Sequence, residues 1–145
     1  MFLGINITRH TDGLLELTQP GLIQKIIQEC GLQEASQIHH TPSEVKIRQR
    51  DLQGKPREHT WNYRALVGML TYLSVTSRPE IAYSVHQCAR FRTNPRRCHE
   101  LAIRQIVRYL KGTADKGYFL QPSVNQTLII MLMLIPAQSN PEQGM

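Results

Sequence analysis

Acidic groups are scarce in this 145-residue chain, which has only three aspartates, Asp12, Asp51 and Asp115. Acid–base catalysis and two-metal chemistry both need carboxylates that converge. Asp12 lies in a predicted turn, Asp51 in a polar segment and Asp115 after the last predicted helix, so nothing in the sequence pairs them. A nucleophile elbow and a phosphate-binding glycine loop are also missing. The sequence therefore indicates no catalytic site of its own.

Cysteine is sparse as well. The three cysteines, Cys30, Cys88 and Cys98, are odd in number, and their spacing matches neither a disulfide framework nor a zinc motif. We therefore expect a reduced setting, no bound metal and no cofactor. The N-terminus lacks the basic and apolar regions of a signal peptide, and no apolar run approaches the ~20 residues that span a bilayer. These absences predict an intracellular protein with no membrane partner, and its compartment stays unknown.

Positive charge is what the sequence has in excess. Seventeen Lys and Arg residues stand against eleven Asp and Glu residues, for a net charge of +6. Such a balance favours an anionic partner, with nucleic acid as the first candidate. The alternative is a basic soluble protein that has no such partner.

Hydrophobic periodicity predicts an α+β, mostly helical fold. A β-hairpin is predicted over residues 2–18, with Asp12–Gly13 as a two-residue turn. A first helix begins at Pro20, with Thr18 or Gln19 as its cap, and ends at Gly31. A long polar loop covers residues 32–60. Three further helices, at 61–74, 79–91 and 95–111, are predicted to form a bundle. A short strand is predicted to follow them at 117–120.

The last of these helices, with Asn94 as its predicted cap, carries the most informative pattern. Its apolar residues fall on one side and four cations fall together on the other. A cationic stripe suits contact with a phosphate backbone, although most such stripes are ordinary solvated faces. Three arginines add charge where the helix begins. The stripe consists of Arg97, Arg104, Arg108 and Lys111, and the added arginines are Arg90, Arg92 and Arg96.

Three ordered stretches resemble the copia-type LTR-retrotransposon polyprotein: "FLGINITRHTDGLLELTQPGLIQKIIQECGL", "YRALVGMLTYLSVTSRPEIAYSVHQCARF" and "NPRRCHELAIRQIVRYLKGT". The resemblance covers about residues 2–120. The part of the polyprotein that these stretches resemble is the C-terminal portion of the reverse transcriptase, an RNA-directed DNA polymerase. This portion runs toward the RNase H domain.

The resemblance implies roles for particular residues. Residues 61–120 resemble the thumb and connection region that contacts the primer–template, so the four cations of the stripe would face phosphates of an RNA/DNA or DNA duplex. Arg78, in "SRPEIAY", would be structural and bridge two helices. The N-terminal hairpin resembles the primer grip at Phe2, Leu3, Gly4 and Ile5.

The chain also departs from the family pattern. The Tyr-Val-Asp-Asp motif and the earlier palm aspartate, which hold Mg²⁺ in the intact enzyme, are not in this sequence. The resemblance therefore implies a truncated remnant that handles primer–template and does not polymerise on its own. Two alternatives are a stand-alone basic nucleic-acid-binding module and a helical interaction module that associates with an intact polymerase or other polyprotein segments.

The sequence divides into a hairpin and helix (1–31), a polar loop or linker (32–60), a helical segment (61–120) and a tail (121–145). We expect the tail to be disordered. Its apolar run "LIIMLMLI" suggests a frameshift, because codons for Ile130–Ile135 read from the third base can encode Tyr-Ala-Asp-Ala-Asp. Such a motif opens the family's RNase H domain.

Overall fold

A computed structural model of the chain describes residues 4–42 and 54–121, which form an α+β fold in which helix predominates. This confirms the predicted fold class. Phe2, Leu3 and the tail beyond Gln121 lie outside the described residues. The described elements, in chain order, are β1 (Asn6–Arg9), β2 (Leu15–Thr18), α1 (Pro20–Glu29), α2 (Tyr63–Thr76), a 3-10 turn (Pro79–Ile81), α3 (Ala82–Ala89), α4 (Arg97–Gly112) and β3 (Tyr118–Leu120).

The three strands form one antiparallel sheet in the order β1-β2-β3. The predicted two-residue turn at Asp12–Gly13 is wrong, because His10 and Leu14 close a three-residue loop. The His10 N–H donates to the Leu14 carbonyl at 2.8 Å and the Gly13 N–H donates to the His10 carbonyl at 3.0 Å. Gly13 has a φ of +88°, as the last residue of such a loop requires. Strand β3 then pairs with β2, placing Leu15 opposite Leu120.

Helix α1 begins at the predicted Pro20 and ends through the predicted Gly31, whose φ is +71°. The Gly31 N–H donates to the carbonyl of Gln28, and the Leu32 N–H donates to that of Ile27. This pair of hydrogen bonds is the Schellman motif, in which glycine adopts the left-handed conformation without a Cβ clash. The motif turns the chain so that Leu32 is buried in the core.

The other helix boundaries differ from the prediction by a few residues. Helix α2 begins at Tyr63 rather than 61, because the Asn62 side chain accepts a hydrogen bond from the Ala65 N–H at 3.1 Å. The segment from Pro79 is one 3-10 turn before α3. The prediction that Asn94 caps the last helix is wrong: α4 begins at Arg97, and the Arg96 N–H donates to His99 Nδ1 at 2.9 Å.

One hydrophobic core is shared by all four helices. Helix α1 packs against both α2 and α4, and α3 packs against α2 and α4. The Tyr63 hydroxyl donates to the Cys88 carbonyl at 2.8 Å, which sets the start of α2 beside the end of α3. None of the helices in the described ranges is both long and apolar enough to cross a membrane.

Arg78 joins the connection after α2 to the end of α4, where the resemblance implied a structural bridge between two helices. Its side chain is 2% exposed, and its guanidinium donates to the Thr113 carbonyl, at the end of α4, at 3.0 Å. It also donates to the Glu80 carboxylate at 2.6 Å. The residue thus joins the connection after α2 to the C-terminus of α4, where a cation also interacts favourably with the helix dipole.

Candidate nucleic-acid interface

Helix α4 separates its apolar and basic residues on two sides. Ile103, Ile106, Val107 and Leu110 are fully buried. The four predicted phosphate-contacting cations follow one another at helical spacing, and each is half-buried. Protein covers part of this basic stripe, because two other segments lie across it. These are residues 32–35 and a stretch that we call the strap, residues 55–61.

Lys111 binds the first of these segments. Its Nζ donates to the backbone carbonyls of Leu32, Gln33 and Ala35 at 2.9, 2.7 and 2.6 Å. Those three bonds use all three ammonium hydrogens. Lys111 therefore anchors the chain that follows α1 to the last turn of α4.

Glu100 binds the strap from inside the protein. Its carboxylate is wholly buried and accepts hydrogen bonds from the Glu58 N–H at 3.1 Å, the His59 N–H at 3.1 Å and Arg57 Nε at 3.3 Å. The Arg57 guanidinium also lies 4.5 Å from the centre of the Trp61 ring. Glu100 lies in the first turn of α4, where the helix dipole favours an acidic residue. Its spacing from Ile103 and Val107 is the sequence signal that it also lies on the apolar face.

Arg97 and Arg104 meet the exposed side of the strap. Arg97 forms an ion pair with the carboxylate of Glu58, and Arg104 contacts His59 Nε2 at 3.2 Å. Of these side chains, Glu58 is 59% and His59 39% exposed. The two arginines therefore lie at the accessible edge of the basic stripe, and their partners are surface groups.

Arg108 lies deeper. Its Nε is buried and has no hydrogen-bond partner within residues 4–42 and 54–121. Burial raises the pKa of the Cys30 thiol to about 11, while the positive charges of Arg104 and Arg108 act in the opposite direction. These two arginines are thus close to the C-terminus of α1, where positive charge is favourable.

The residues matched to the primer grip are described only in part. Gly4 is exposed, with a φ of +81°, and Ile5 is buried just before β1. Phe2 and Leu3 fall outside the described ranges. In those ranges, His, Cys, Asp and Glu side chains form no group of three that could hold a metal ion.

A second set of cations lies apart from the stripe, on the side of α2 and α3. Arg64, Arg90 and Arg92 are exposed and line two adjoining cavities between these helices. Arg90 and Arg92 were noted in the sequence as added charge near α4, whereas Arg64 was missed. Its signal was the α2 stripe of Arg64, Gly68, Thr71 and Val75, which repeats at helical spacing.

Retrotransposon polyproteins are among the known proteins that this chain resembles. The chain is 33% identical over 120 residues to the retrovirus-related Pol polyprotein from transposon RE1 of Arabidopsis thaliana, covering 83% of this chain and 8% of the relative. It is 31% identical over 117 residues to the corresponding polyprotein from transposon TNT 1-94 of Nicotiana tabacum, covering 77% of this chain and 9% of the relative. A putative transposon Ty5-1 protein of Saccharomyces cerevisiae is 31% identical over 121 residues, covering 77% of this chain and 36% of the relative.

No family model matches the chain, and no solved structure does. The chain spans less than a tenth of the length of the plant polyproteins that it matches. Over most of its length it is thus similar to a short segment of copia-type retrotransposon Pol polyproteins, which supports a retrotransposon-derived chain.

Proposed function

We propose that this chain is the part of a copia-type Pol polyprotein that follows the catalytic palm of reverse transcriptase. It holds the phosphate backbones of a primer–template duplex and does not polymerise alone. The similarity to Pol polyproteins supports the origin, and the missing Tyr-Val-Asp-Asp motif argues against catalysis by this chain. The observation that carries the binding proposal is the accessible edge of the basic stripe on α4.

Arg97 and Arg104 form that edge. They are seven residues apart, so their Cα atoms are ~10 Å apart along the helix. Exposed ion pairs contribute only ~0–1 kcal/mol. A phosphate can therefore replace Glu58 at Arg97 at little cost to folding. At Arg104 it would replace one hydrogen bond to His59 Nε2, while His59 Nδ1 stays beside Glu100.

Arg108 and Lys111 support the same face from the second half of α4. Lys111 is engaged with three backbone carbonyls, and Arg108 is partly covered. Their charges nevertheless add to the positive potential of the face. We propose that they attract the duplex and keep α4 in place, while Arg97 and Arg104 make the direct phosphate contacts.

The test is to measure binding of a fluorescein-labelled RNA–DNA hybrid duplex by anisotropy as the KCl concentration rises. In the double variant Arg97→Gln, Arg104→Gln we expect binding at least about tenfold weaker at low salt. Losing two phosphate contacts should also lower the log–log salt slope by roughly 2. Circular dichroism of both proteins checks that the helices remain.

The matched control removes two exposed lysines elsewhere, with Lys25→Gln and Lys116→Gln. It makes the same change in net charge but should weaken binding by less than about twofold. Equal losses of affinity in the two double variants would mean that duplex binding depends on net charge and not on Arg97 and Arg104. Unchanged affinity in the Arg97/Arg104 variant would mean that these two arginines do not contact the duplex.

A further inference from the structure

A groove runs between α2 and α3 on a side of the protein that the proposed nucleic-acid contact does not use. It consists of two adjoining cavities of about 450 and 420 Å³, which share Thr71 and Arg92 in their walls. We call it the α2–α3 groove. The space stays open partly because Gly68 has no side chain and Ala89 has only a methyl group.

The groove has a cationic end and an apolar end. Because the start of α2 lies beside the end of α3, Arg64 and Arg92 come together at one end. Neither side chain has an ion-pair partner in the described part of the chain, and no residue lining the groove is acidic. At the other end Val75 is 64% exposed, and the exposed Ala82 lines the same cavity.

We propose that the α2–α3 groove is a docking site for an acidic amphipathic helix of a partner protein. From Arg64 to Val75 the α2 wall is ~16 Å long, which matches about three turns of helix. Apolar side chains at helical spacing on the partner pack against Val75, Ala82 and Ala89. Carboxylates at one end of the partner helix pair with Arg64 and Arg92, in the helix-in-groove mode of recognition.

Charge placement favours a protein helix over nucleic acid. A phosphate backbone needs cations along its whole path, whereas here Arg64, Arg90 and Arg92 lie where α2 begins and α3 ends, and the rest of the lining has no Lys or Arg. A second copy of this chain fits less well too, because its groove would supply no carboxylate to the arginines. Burying unpaired guanidinium groups against another apolar face would cost free energy.

The probe for the test is a labelled synthetic peptide of about 14 residues, which forms roughly four helical turns. It has Leu and Ala on one face and Glu in its first two turns. Two comparison peptides carry a scrambled order of the same residues or Lys in place of Glu. Binding to the full chain is followed by anisotropy. We expect saturable binding of the acidic amphipathic peptide, at least about tenfold tighter than either comparison peptide.

Two kinds of variant then locate the site. Arg64→Glu with Arg92→Glu removes the cationic end and should weaken binding at least about tenfold. Gly68→Leu fills the groove and should weaken it similarly. A Cβ at Gly68 meets no atom within 4 Å, so this variant is expected to fold. The control Lys25→Glu with Lys116→Glu repeats the charge change elsewhere and should have less than about a twofold effect.

Several results would overturn the proposal. Equal binding of the scrambled or lysine peptide would show that the groove does not select an acidic amphipathic helix. Undiminished binding in the Gly68→Leu protein would place the peptide elsewhere. Competition by the RNA–DNA duplex would assign the groove to nucleic acid, and concentration-dependent dimers lost on Gly68→Leu would assign it to a second copy. The Arg97→Gln, Arg104→Gln protein should still bind the peptide, so this proposal and the proposed function fail independently.

Discussion

The buried carboxylate of Glu100 accepts a 3.1 Å hydrogen bond from the backbone N–H of His59, 41 residues earlier in the chain. The same carboxylate accepts from the Glu58 N–H and from Arg57 Nε. A residue on the basic helix thus fixes the strap that lies across the basic stripe. The position of the strap, and with it the access of a phosphate to Arg97 and Arg104, depends on this one buried anion.

Glu100→Gln should destabilise the protein by about 2–4 kcal/mol. The amide keeps one acceptor oxygen, but its NH₂ group faces a backbone N–H, and Arg57 loses its charged partner. Urea denaturation followed by circular dichroism measures the change. Glu29→Gln, at an exposed position on α1, is the control and should stay within about 0.5 kcal/mol of the parent protein. Equal midpoints for the two variants would contradict a structural role for Glu100.

Arg78→Lys should cost about 2–3 kcal/mol. The guanidinium donates in separate directions to Glu80 and Thr113, and a lysine ammonium on a longer flexible stem cannot reproduce this fork. Thermal and urea unfolding measure the loss. Arg90→Lys, on the surface, provides the comparison and should be nearly neutral. If Lys at position 78 proved as stable as Arg, the bridge between α4 and the connection after α2 would contribute little.

Local chemistry explains which parts of the fold the sequence predicted. Helix α1 follows from Pro20, which suits a first turn, and from Gly31, which adopts a conformation that other residues avoid. These signals depend only on neighbouring residues. The predicted hairpin turn failed because Asp12–Gly13 is compatible with both two- and three-residue loops. The partner of the strand at 118–120 was not predicted, because pairing between distant strands leaves no local mark.

The strap escaped prediction for a related reason. Its polar composition is also that of a solvated loop, and part of its attachment to α4 is made by the backbone N–H groups of Glu58 and His59. Likewise, Lys111 bonds to backbone carbonyls that any residue would offer. Glu100 was the one readable signal, because its helical spacing from Ile103 and Val107 places a carboxylate among core residues. A charge in that position must have a partner.

Two glycines should respond oppositely to replacement by alanine. Gly68→Ala should stabilise the protein by about 0.5–1 kcal/mol, because the position is helical and its Cβ meets nothing within 4 Å. Gly31→Ala should cost about 1–2 kcal/mol, because its φ is +71°. Urea denaturation of both variants gives the two signs. A stabilising Gly31→Ala would contradict the helix end described for α1.

Stability should fall as the pH rises from about 9 toward 11. Burial raises the pKa of the Cys30 thiol from 9.0 to about 11 and that of the Cys88 thiol from 9.0 to about 12. The folded protein therefore holds these protons more tightly than the unfolded chain does. The stabilisation is fully present below pH 9 and is lost as the pH passes through the folded-state pKa values. Burial raises the pKa of Tyr63 as well, which acts in the same direction.

Cys30 alone should account for about 2 kcal/mol of that loss. The measurement is a series of urea midpoints between about pH 8 and 11. In Cys30→Ala with Cys88→Ala the protein should be less stable at pH 8 but its midpoint should vary less with pH. A pH dependence that persisted undiminished in the double variant would place the titrating groups elsewhere.

Glu58→Gln should strengthen binding of the RNA–DNA duplex if the proposed function is correct. Glu58 pairs with Arg97 at the position that a phosphate would take, so its carboxylate competes with the ligand. Removing the charge should raise the affinity about three- to tenfold at low salt, with the gain shrinking as salt rises. The anisotropy assay with the labelled duplex measures both effects. Glu34→Gln, an exposed residue on the segment after α1, controls for net charge and should give less than about a twofold gain. A Glu58→Gln protein that binds no better than this control would mean that the duplex does not displace the strap from Arg97.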